Sequence, residues 1–327
     1  MKNKIMAFPK KTTSLLVASL LATTAAPAMA EDKSTFIGSL RIGALWDDNV
    51  NDDGQFAIQN FGSRIRWSGE RTINDSLNGV AYVELRIETN DNATGTTGIN
   101  RTRHARAGLS GDFGSLWWGA GYSTFYDFVT GKADIAWWGS CFVGLECARE
   151  TRVLKYTGNF GGFSIGAAIE ARADAEEDFI DELELGIGYN IGGLGLGAAV
   201  AIYADDTVDE ALGLSDDGGG LFGLSATYDF GAGSIVGIYQ LGSDDIGVGG
   251  TPDEQTTVSF AGTLGNFYGV LETRDNGAGN DLLSGTLGYT WNIAPSSLMY
   301  FEAQTLDNDV PGEDTRTILR ATYKFDF

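Results

Sequence analysis

Apolar and polar residues alternate along the chain from residue 33 to its end. In the segment GVAYVELRIET (79–89), every second residue from Ala81 to Ile87 is apolar, and those between are polar or amphipathic. Successive side chains of a β-strand point to opposite faces, so this period predicts strands with one apolar and one polar face. The same period recurs in the segments 163–170, 182–190 and 316–327.

The polar faces of these strands are crowded with Gly, Ser and Thr. A soluble β-sandwich also alternates, but its strands pack against a second sheet. We expect instead a closed transmembrane barrel with an apolar exterior and a polar lumen, since no unpaired strand edge survives in hydrocarbon. Aromatic residues near the strand ends are expected to form girdles at the two membrane interfaces. They are Trp46, Phe61, Tyr189, Tyr203, Tyr228, Phe230, Phe267 and Trp291.

The connections between the strands fall into two alternating classes. Seven are short, Gly- or Asn-containing turns such as GDFG (111–114), and eight are longer and mostly acidic. Fifteen connections join sixteen strands, an even number with short turns on one rim and long loops on the other. The predicted fold class is therefore all-β, an antiparallel transmembrane barrel whose interior is too wide for side chains to fill.

The first thirty residues differ from the rest of the chain. They contain four Lys, an apolar stretch at 15–22 and the small-x-small sequence Ala28-Met29-Ala30. This order is typical of a secretory signal peptide cleaved after Ala30, and a retained anchor is the alternative. Residues 31–327 are expected to form a single barrel domain, because no linker or second-domain signal is present.

The 327 residues include 44 acidic and 22 basic side chains, which give a formal charge of −22. This excess would repel phosphate, so nucleic-acid binding is not expected. A single His and two Cys cannot form a His-rich or four-cysteine zinc site, although oxygen-ligand cations remain possible. No cofactor is predicted beyond calcium in the acidic loops, where Asn49, Asn51 and Asp53 begin like a calcium loop but lack its bidentate Glu.

Two ordered stretches carry a family resemblance. RAGLSGDFGSLWWGAGYSTFYDFVTG (106–131) resembles the strand, tight turn, strand and start of the third loop in Gram-negative general-diffusion porins, and KYTGNFGGFSIG (155–166) resembles the strand pair that follows. Phe327 resembles their terminal assembly signal. The resemblance implies a trimeric outer-membrane barrel whose long third loop folds into the lumen. Ala120 departs from the pattern, because many members carry an Arg there.

The candidate third loop, residues 122–150, is the longest connection in the chain. An external lid or a disordered loop is the alternative, but its aromatic content favours a packed position. Cys141 and Cys147 lie within it, and in an exported protein we expect them to form a disulfide rather than two free thiols. The carboxylates expected at the constriction are Asp127, Asp134, Glu146 and Glu150.

A basic wall is expected opposite these carboxylates. If Leu40 and Ile42 face outward, Arg41 points into the lumen, and the same parity applies on the neighbouring strands. A transverse field would then cross the constriction and favour small polar solutes. Ordinary ion pairing within the lumen is the alternative. The arginines assigned to this wall are Arg41, Arg64, Arg66, Arg86, Arg106, Arg316 and Arg320.

These features predict a non-enzymatic channel for passive diffusion of small hydrophilic solutes and ions, in contact with outer-membrane lipid and lipopolysaccharide, and the resemblance implies that it is a homotrimer. A catalytic role for His104 would need a nucleophile and an orienting acid, and nothing in the sequence marks them. A substrate-selective porin for sugars or dicarboxylates is the first alternative. A sugar channel would be favoured by a row of aromatic residues along the lumen, but the tyrosines expected to point inward, Tyr82, Tyr203, Tyr268 and Tyr300, are too dispersed to form one. A surface adhesin or structural barrel is the second alternative.

Overall fold

A computed structural model of the chain describes most of the residues from 33 onward. The described ranges are 33–48, 54–88, 98–141, 144–147, 149–171, 180–204, 219–243, 254–275, 281–307 and 315–327. The expected signal peptide and the calcium-loop residues Asn49, Asn51 and Asp53 lie outside them.

Strands account for most of the described residues. A short helix α1 (Thr124–Phe128) and one turn of 3₁₀-helix (Thr130–Lys132) lie between β6 and β7, and none of the described helices is long and apolar enough to cross a membrane. The strands are β1 (Lys33–Asp47), β2 (Gln55–Asn60), β3 (Arg64–Asn74), β4 (Leu77–Glu88), β5 (Gly98–Gly111), β6 (Gly114–Tyr122), β7 (Arg149–Phe160), β8 (Phe163–Glu170), β9 (Glu182–Ile191), β10 (Leu194–Tyr203), β11 (Gly219–Asp229), β12 (Gly233–Gly242), β13 (Gln255–Leu264), β14 (Phe267–Asp275), β15 (Leu282–Ala294), β16 (Ser297–Asp307) and β17 (Arg316–Asp326).

These seventeen segments form a closed antiparallel barrel of sixteen spans. β2 and β3 both pair with β1, with Asn60 opposite Ile42 and Arg64 opposite Ser39, so they are two parts of one span interrupted at 61–63. β1 pairs on its other side with β17, which closes the sheet. The predicted sixteen-stranded barrel is confirmed, and closure removes the unpaired edges that a bilayer would not tolerate.

The alternation separates the two faces of the wall as predicted. On β9, Leu185 and Ile187 face outward with 47% and 52% of their surfaces exposed, whereas Glu182 and Glu184 face inward and are buried. The eight residues assigned to the aromatic girdles were expected on the outside for the same reason. Trp46, Tyr228, Phe230, Phe267 and Trp291 are exposed.

Two of the girdle assignments are wrong. Phe61 and Tyr203 are buried, with 1% and 8% of their surfaces exposed. Phe61 lies in the interruption between β2 and β3, where regular alternation stops. Tyr203 ends β10 with its side chain in the apolar cluster that covers part of the inner wall. Strand-end position alone therefore does not place an aromatic ring at the membrane interface.

Candidate functional site

The described part of the connection between β6 and β7, residues 123–141 and 144–147, lies inside the barrel. It packs Phe125, Phe128, Val129, Ala133, Ala136 and Leu145 in one apolar cluster with inward-facing residues of β10 to β14. Phe125 and Val129 are completely buried. Burial of apolar surface thus holds the loop against one side of the inner wall and leaves the opposite side open.

Glycines on the wall make room for this loop. A Cβ atom at Gly186 would lie 2.4 Å from a ring carbon of Phe128, and one at Gly223 would lie 2.4 Å from the ring of Phe125. Neither distance is compatible with a side chain on these strands. The Gly-rich polar faces of the strands therefore serve two purposes: part of the surface faces water, and part of it makes room for the aromatic rings of the loop.

Polar wall residues satisfy the backbone of the loop. Ser123 caps α1 by accepting from the Tyr126 N–H at 2.8 Å, and Glu184 accepts from the N–H groups of Thr124 at 2.5 Å and Phe125 at 2.9 Å. Buried backbone groups need such partners, so these contacts fix the position of the loop as well as its fold. Further contacts join Trp138 N to Glu302, Cys141 N to Glu272, Leu145 N to Gln240, and the Gly139 carbonyl to the Thr286 hydroxyl.

An open cavity of about 590 Å³ lies between the loop and the uncovered wall. The loop contributes Asp134, Ile135, Ala136, Trp137, Trp138, Ser140, Cys141 and Cys147, and the wall contributes Phe61, Gly62 and Tyr122. Five arginines also line it: Arg41, Arg64, Arg86, Arg103 and Arg149. We call this space the constriction cavity.

Strand register brings the arginines together. Arg64 of β3 lies directly opposite Arg86 of β4, and Ser39, two residues before Arg41, lies opposite Arg64. The interruption at 61–63 also holds the backbone at Arg41, because Ser63 Oγ accepts a hydrogen bond from the Arg41 N–H at 2.8 Å. β-bulges are frequent next to functional sites because they redirect nearby side chains.

Glu84 is the shared partner of three arginines. Its carboxylate accepts from Arg66 Nε and Arg103 Nε at 2.5 Å each and from Arg64 at 3.2 Å. Only 3% of the Glu84 surface is exposed. One buried carboxylate therefore orders three guanidinium groups without neutralising them all.

Aromatic rings support other arginines. The Arg41 guanidinium lies 5.1 Å from the centre of the Trp137 ring, and that of Arg149 lies 4.4 Å from Tyr122. Arg106 lies between the rings of Tyr82 and Trp117, and Arg320 lies 5.8 Å from the Trp138 ring. Cation–π contacts position a guanidinium while leaving N–H groups in its plane available.

The four loop carboxylates are not gathered around the cavity. Asp134 lines it and accepts from the Tyr126 and Ser140 hydroxyls at 2.5 Å each. Burial and the Asp134 carboxylate raise the pKa of the Tyr126 hydroxyl, which therefore stays a donor. Asp127 pairs with Lys155 at 2.6 Å beside a second cavity of about 320 Å³. Glu146 is buried and accepts from Ser123.

Glu150 belongs to a separate acidic cluster. Its carboxylate, with those of Glu182 and Glu184, forms a group whose oxygens lie within 4.8 Å of one another, a spacing that could hold a metal ion. The ammonium of Lys155, itself only 1% exposed, attracts both Glu150 and Glu184. The structure thus places Glu150 in the wall behind the loop rather than at the cavity.

The seven predicted wall arginines are divided in the same way. Arg41, Arg64 and Arg86 line the cavity, and Arg66 pairs with Glu84, the shared partner of Arg64 and Arg103. Arg316 instead forms a two-point pair with Asp47 at the loop end of the barrel. Arg106 and Arg320 rest on aromatic rings.

Two arginines that line the cavity, Arg103 and Arg149, were not predicted from the alternation of inward and outward residues. Arg103 should face outward by simple alternation, but register shifts between Glu84 and Leu85 and between Arg86 and Ile87 insert extra residues on β5 and turn Arg103 toward Glu84. No feature of a single sequence marks such shifts. Arg149, at the start of β7, was assigned to the loop although its side chain lines the cavity.

The loop contains a disulfide between Cys141 and Cys147, whose Cα atoms lie 6.0 Å apart. Both cysteines line the constriction cavity. The bond closes a short segment of the loop and therefore restricts the part of it that borders the open space.

Replacing Cys141 and Cys147 with Ser is expected to leave the barrel assembled, because the strand pairing does not depend on them, and to increase current noise through single channels. A cross-link that closes a short segment stabilises it by about 2 kcal/mol, because it reduces the conformational entropy of the segment when it is loose. Without the bond, this part of the loop should fluctuate more. Single-channel recording of the oxidised protein and the double variant checks this. Equal current noise in both proteins would contradict a stiffening role of the disulfide. Alkylation without reductant followed by mass spectrometry verifies that the bond is present in the oxidised protein.

Comparisons with known proteins agree with this architecture. The Gram-negative porin family matches residues 17–311. Outer membrane protein U of Vibrio vulnificus is 29% identical over 206 residues, which are 61% of this chain and 58% of that protein. Outer membrane protein S2 of Salmonella typhi is 27% identical over 97% of this chain and 78% of its own length.

Solved structures show the same fold. An anion-selective porin from Comamonas acidovorans superposes with a TM-score of 0.69 at 15% identity, covering 91% of this chain and all of that one. A trimer form of OmpT from Vibrio cholerae gives a TM-score of 0.67 at 18% identity, covering 90% of this chain and 99% of that one. With a family match over most of its length and a closed sixteen-span barrel, the chain belongs to the Gram-negative porins of the outer membrane.

Proposed function

We propose that this porin is a passive, water-filled channel for small hydrophilic solutes and ions, and that the constriction cavity is its narrowest part. The observation that carries the proposal is the open space of about 590 Å³ between the inserted loop and the arginine-lined wall. A sixteen-stranded barrel has a lumen too wide to be filled by its own side chains. The loop covers one side of that lumen, so solutes would pass on the other.

The field within this passage is proposed to arise from the cavity arginines and Asp134. Guanidinium groups stay charged at every physiological pH. They act on solutes at close range, where screening by salt is incomplete. Of the predicted loop acids, we assign this role to Asp134 alone, since Asp127, Glu146 and Glu150 are engaged elsewhere.

A homotrimer in contact with lipid and lipopolysaccharide is proposed as the assembled form, after export directed by residues 1–30. The trimer form of the OmpT barrel supports the assembly by analogy of fold. No catalytic step is proposed. His104, the one candidate for enzymatic chemistry, accepts from Arg149 at 3.4 Å and lies between the rings of Tyr82 and Tyr122.

Purified protein in a planar bilayer is expected to give stable ohmic conductance, and the variant Arg41→Ala with Arg66→Ala is expected to change both conductance and ion selectivity. The wild type controls for insertion, and liposome swelling with a small sugar gives an independent readout of passage. Absence of any conductance would overturn the channel and favour an adhesin or structural barrel. Unchanged conductance and selectivity in the variant would overturn the assigned role of the wall.

A further inference from the structure

We propose that the acidic cluster of Glu150, Glu182 and Glu184 holds a divalent metal ion, for which calcium has the best-matched chemistry. The cluster lies on the inner wall beside the start of the inserted loop, and none of its residues lines the constriction cavity. The inference therefore goes beyond the proposed channel and does not depend on it.

The acidic cluster brings carboxylate oxygens from two strands to one point. Glu150 is the second residue of β7, and Glu182 and Glu184 lie on one face of β9. One oxygen from each carboxylate lies within 4.8 Å of the other two. Calcium binds oxygens at about 2.3–2.6 Å, so two ligands of one ion lie at most about 5 Å apart. The spacing therefore suits a shared calcium ion.

Two further buried glutamates increase the negative charge around the acidic cluster. Glu184 and Glu182 have only 1% and 6% of their surfaces exposed. Glu170 of β8 lies directly opposite Glu182, and the Glu146 carboxylate is also close enough to repel it. Like charges directly opposite each other destabilise a sheet. Because buried charges in proteins are normally paired or coordinate a metal, this group of carboxylates needs a cation.

Lys155 supplies positive charge beside the cluster, but its hydrogen bonds go elsewhere. An ammonium group has three donors. Those of Lys155 are directed to the carbonyls of Tyr122 and Ser123 and to the Asp127 carboxylate. The ammonium therefore attracts the acidic cluster at a distance, and one such charge does not balance three carboxylates.

The Thr124 hydroxyl is an independent indication of a ligand at this point. Thr124 begins α1, is completely buried, and donates its N–H to Glu184 at 2.5 Å. Its Oγ1 lies beside the same carboxylate but makes no hydrogen bond of acceptable geometry among the described residues. A buried hydroxyl without a partner is costly. A metal ion held by Glu184 would give this oxygen a partner.

The ligand atoms favour calcium over other metals. All of them are oxygens, which suit hard cations rather than zinc or copper. Three carboxylates, each able to bind through two oxygens, can supply the roughly six to eight ligands of calcium, whereas magnesium demands octahedral geometry and usually keeps several waters. Since Glu184 also accepts from the N–H groups of Thr124 and Phe125, the ion would tie the start of the inserted loop to β7 and β9.

The calcium content of the folded protein in detergent tests the proposal. The protein is equilibrated with calcium, passed into calcium-free buffer to remove loosely held ions, and analysed by elemental mass spectrometry. The test variant is Glu150→Gln with Glu182→Gln, which keeps the side-chain shapes and leaves the acceptors of Glu184 in place. The matched control is Glu272→Gln, because Glu272 is a buried inner-wall glutamate on β14, outside the cluster.

We expect the wild type and Glu272→Gln to retain about one calcium ion per chain more than the double variant. Thermal unfolding provides a second readout. With free calcium at about 100 times its Kd, the ratio of folded to unfolded protein rises about a hundredfold. EDTA should therefore lower the unfolding midpoint of the wild type and of Glu272→Gln, and it should have little effect on the double variant.

Two results would overturn the site. The first is equal calcium content in the wild type and the double variant. The second is a double variant that is more stable than the wild type in calcium, because removing two like charges stabilises a cluster that holds no cation. If the double variant does not fold, Glu150→Gln alone gives the same comparison, since Glu150 is only partly buried. Neither measurement involves conductance, so failure of the site is distinct from failure of the channel.

Discussion

Releasing the inserted loop from the inner wall is expected to widen the channel more than any other change to the protein. In the variant Phe125→Ala with Phe128→Ala, we expect the conductance to rise about two- to fivefold, since the lumen of an unobstructed sixteen-stranded barrel is a wide aqueous channel. Both rings are buried against the wall. Each Phe→Ala change in such a position costs about 3–5 kcal/mol of packing.

The wall offers an independent way to the same result. Gly186→Val adds a side chain where Phe128 now lies, because even a Cβ atom there would be 2.4 Å from its ring. Valine suits a strand, so this variant leaves the pairing of β9 intact while it displaces the loop. If both variants widen the channel, the loop forms the constriction.

Conductance in planar bilayers and liposome swelling with sugars of increasing size measure the effect. Phe230→Ala is the matched control, because Phe230 lies at the turn after β11 and is exposed. Larger sugars should enter through the loop variants only. Unchanged conductance and sugar cutoff in correctly folded variants would show that the loop does not limit passage.

Replacing the buried Lys155 is expected to be the most destabilising single change. Its ammonium donates to the carbonyls of Tyr122 and Ser123 at 2.9 Å each and pairs with Asp127 at 2.6 Å. It also faces the acidic cluster of Glu150, Glu182 and Glu184. Removing one partner of a buried charge pair costs about 3–5 kcal/mol, because the other charges lose their compensation.

Lys155→Met keeps the length of the side chain and removes the charge, and Lys155→Arg is the matched control that retains it. Thermal unfolding in detergent can be followed by circular dichroism and by the change in electrophoretic mobility on heating. The midpoint of unfolding should be lower for Lys155→Met than for Lys155→Arg. Equal midpoints in the two variants would contradict this account.

Much of the architecture could be predicted because membrane strands obey a simple rule. Outward residues must be apolar, inward residues face water or the loop, and the period is two, so the alternation on β4 and β9 indicated the faces directly. Counting the connections gave sixteen spans. The prediction did not require knowledge of β2 and β3 as separate segments, since an interruption within a span does not change the count.

The site was less predictable, because parity gives the face of a residue but not its depth or partner. Arg41, Arg64 and Arg86 share a face and a cavity, whereas Arg316 has the same parity and pairs with Asp47 at the barrel end. Arg103 was missed because local register shifts reverse its direction. Asp127, Glu146 and Glu150 were expected at the cavity from their position in the long third connection. In the structure Asp127 pairs with Lys155, Glu146 accepts from Ser123, and Glu150 lies on β7 beside Glu182 and Glu184.

The sequence by itself determined the environment of the chain: a closed barrel with an apolar exterior and a long third connection rich in aromatics. Only the tertiary structure decided where the charges of the lumen lie. Phe125 and Phe128 pack the loop against the glycines of one wall, which leaves the arginines of the other wall facing open space. The physical reason is that alternation is a property of each strand, whereas the position of a loop inside a barrel depends on packing between residues far apart in the chain.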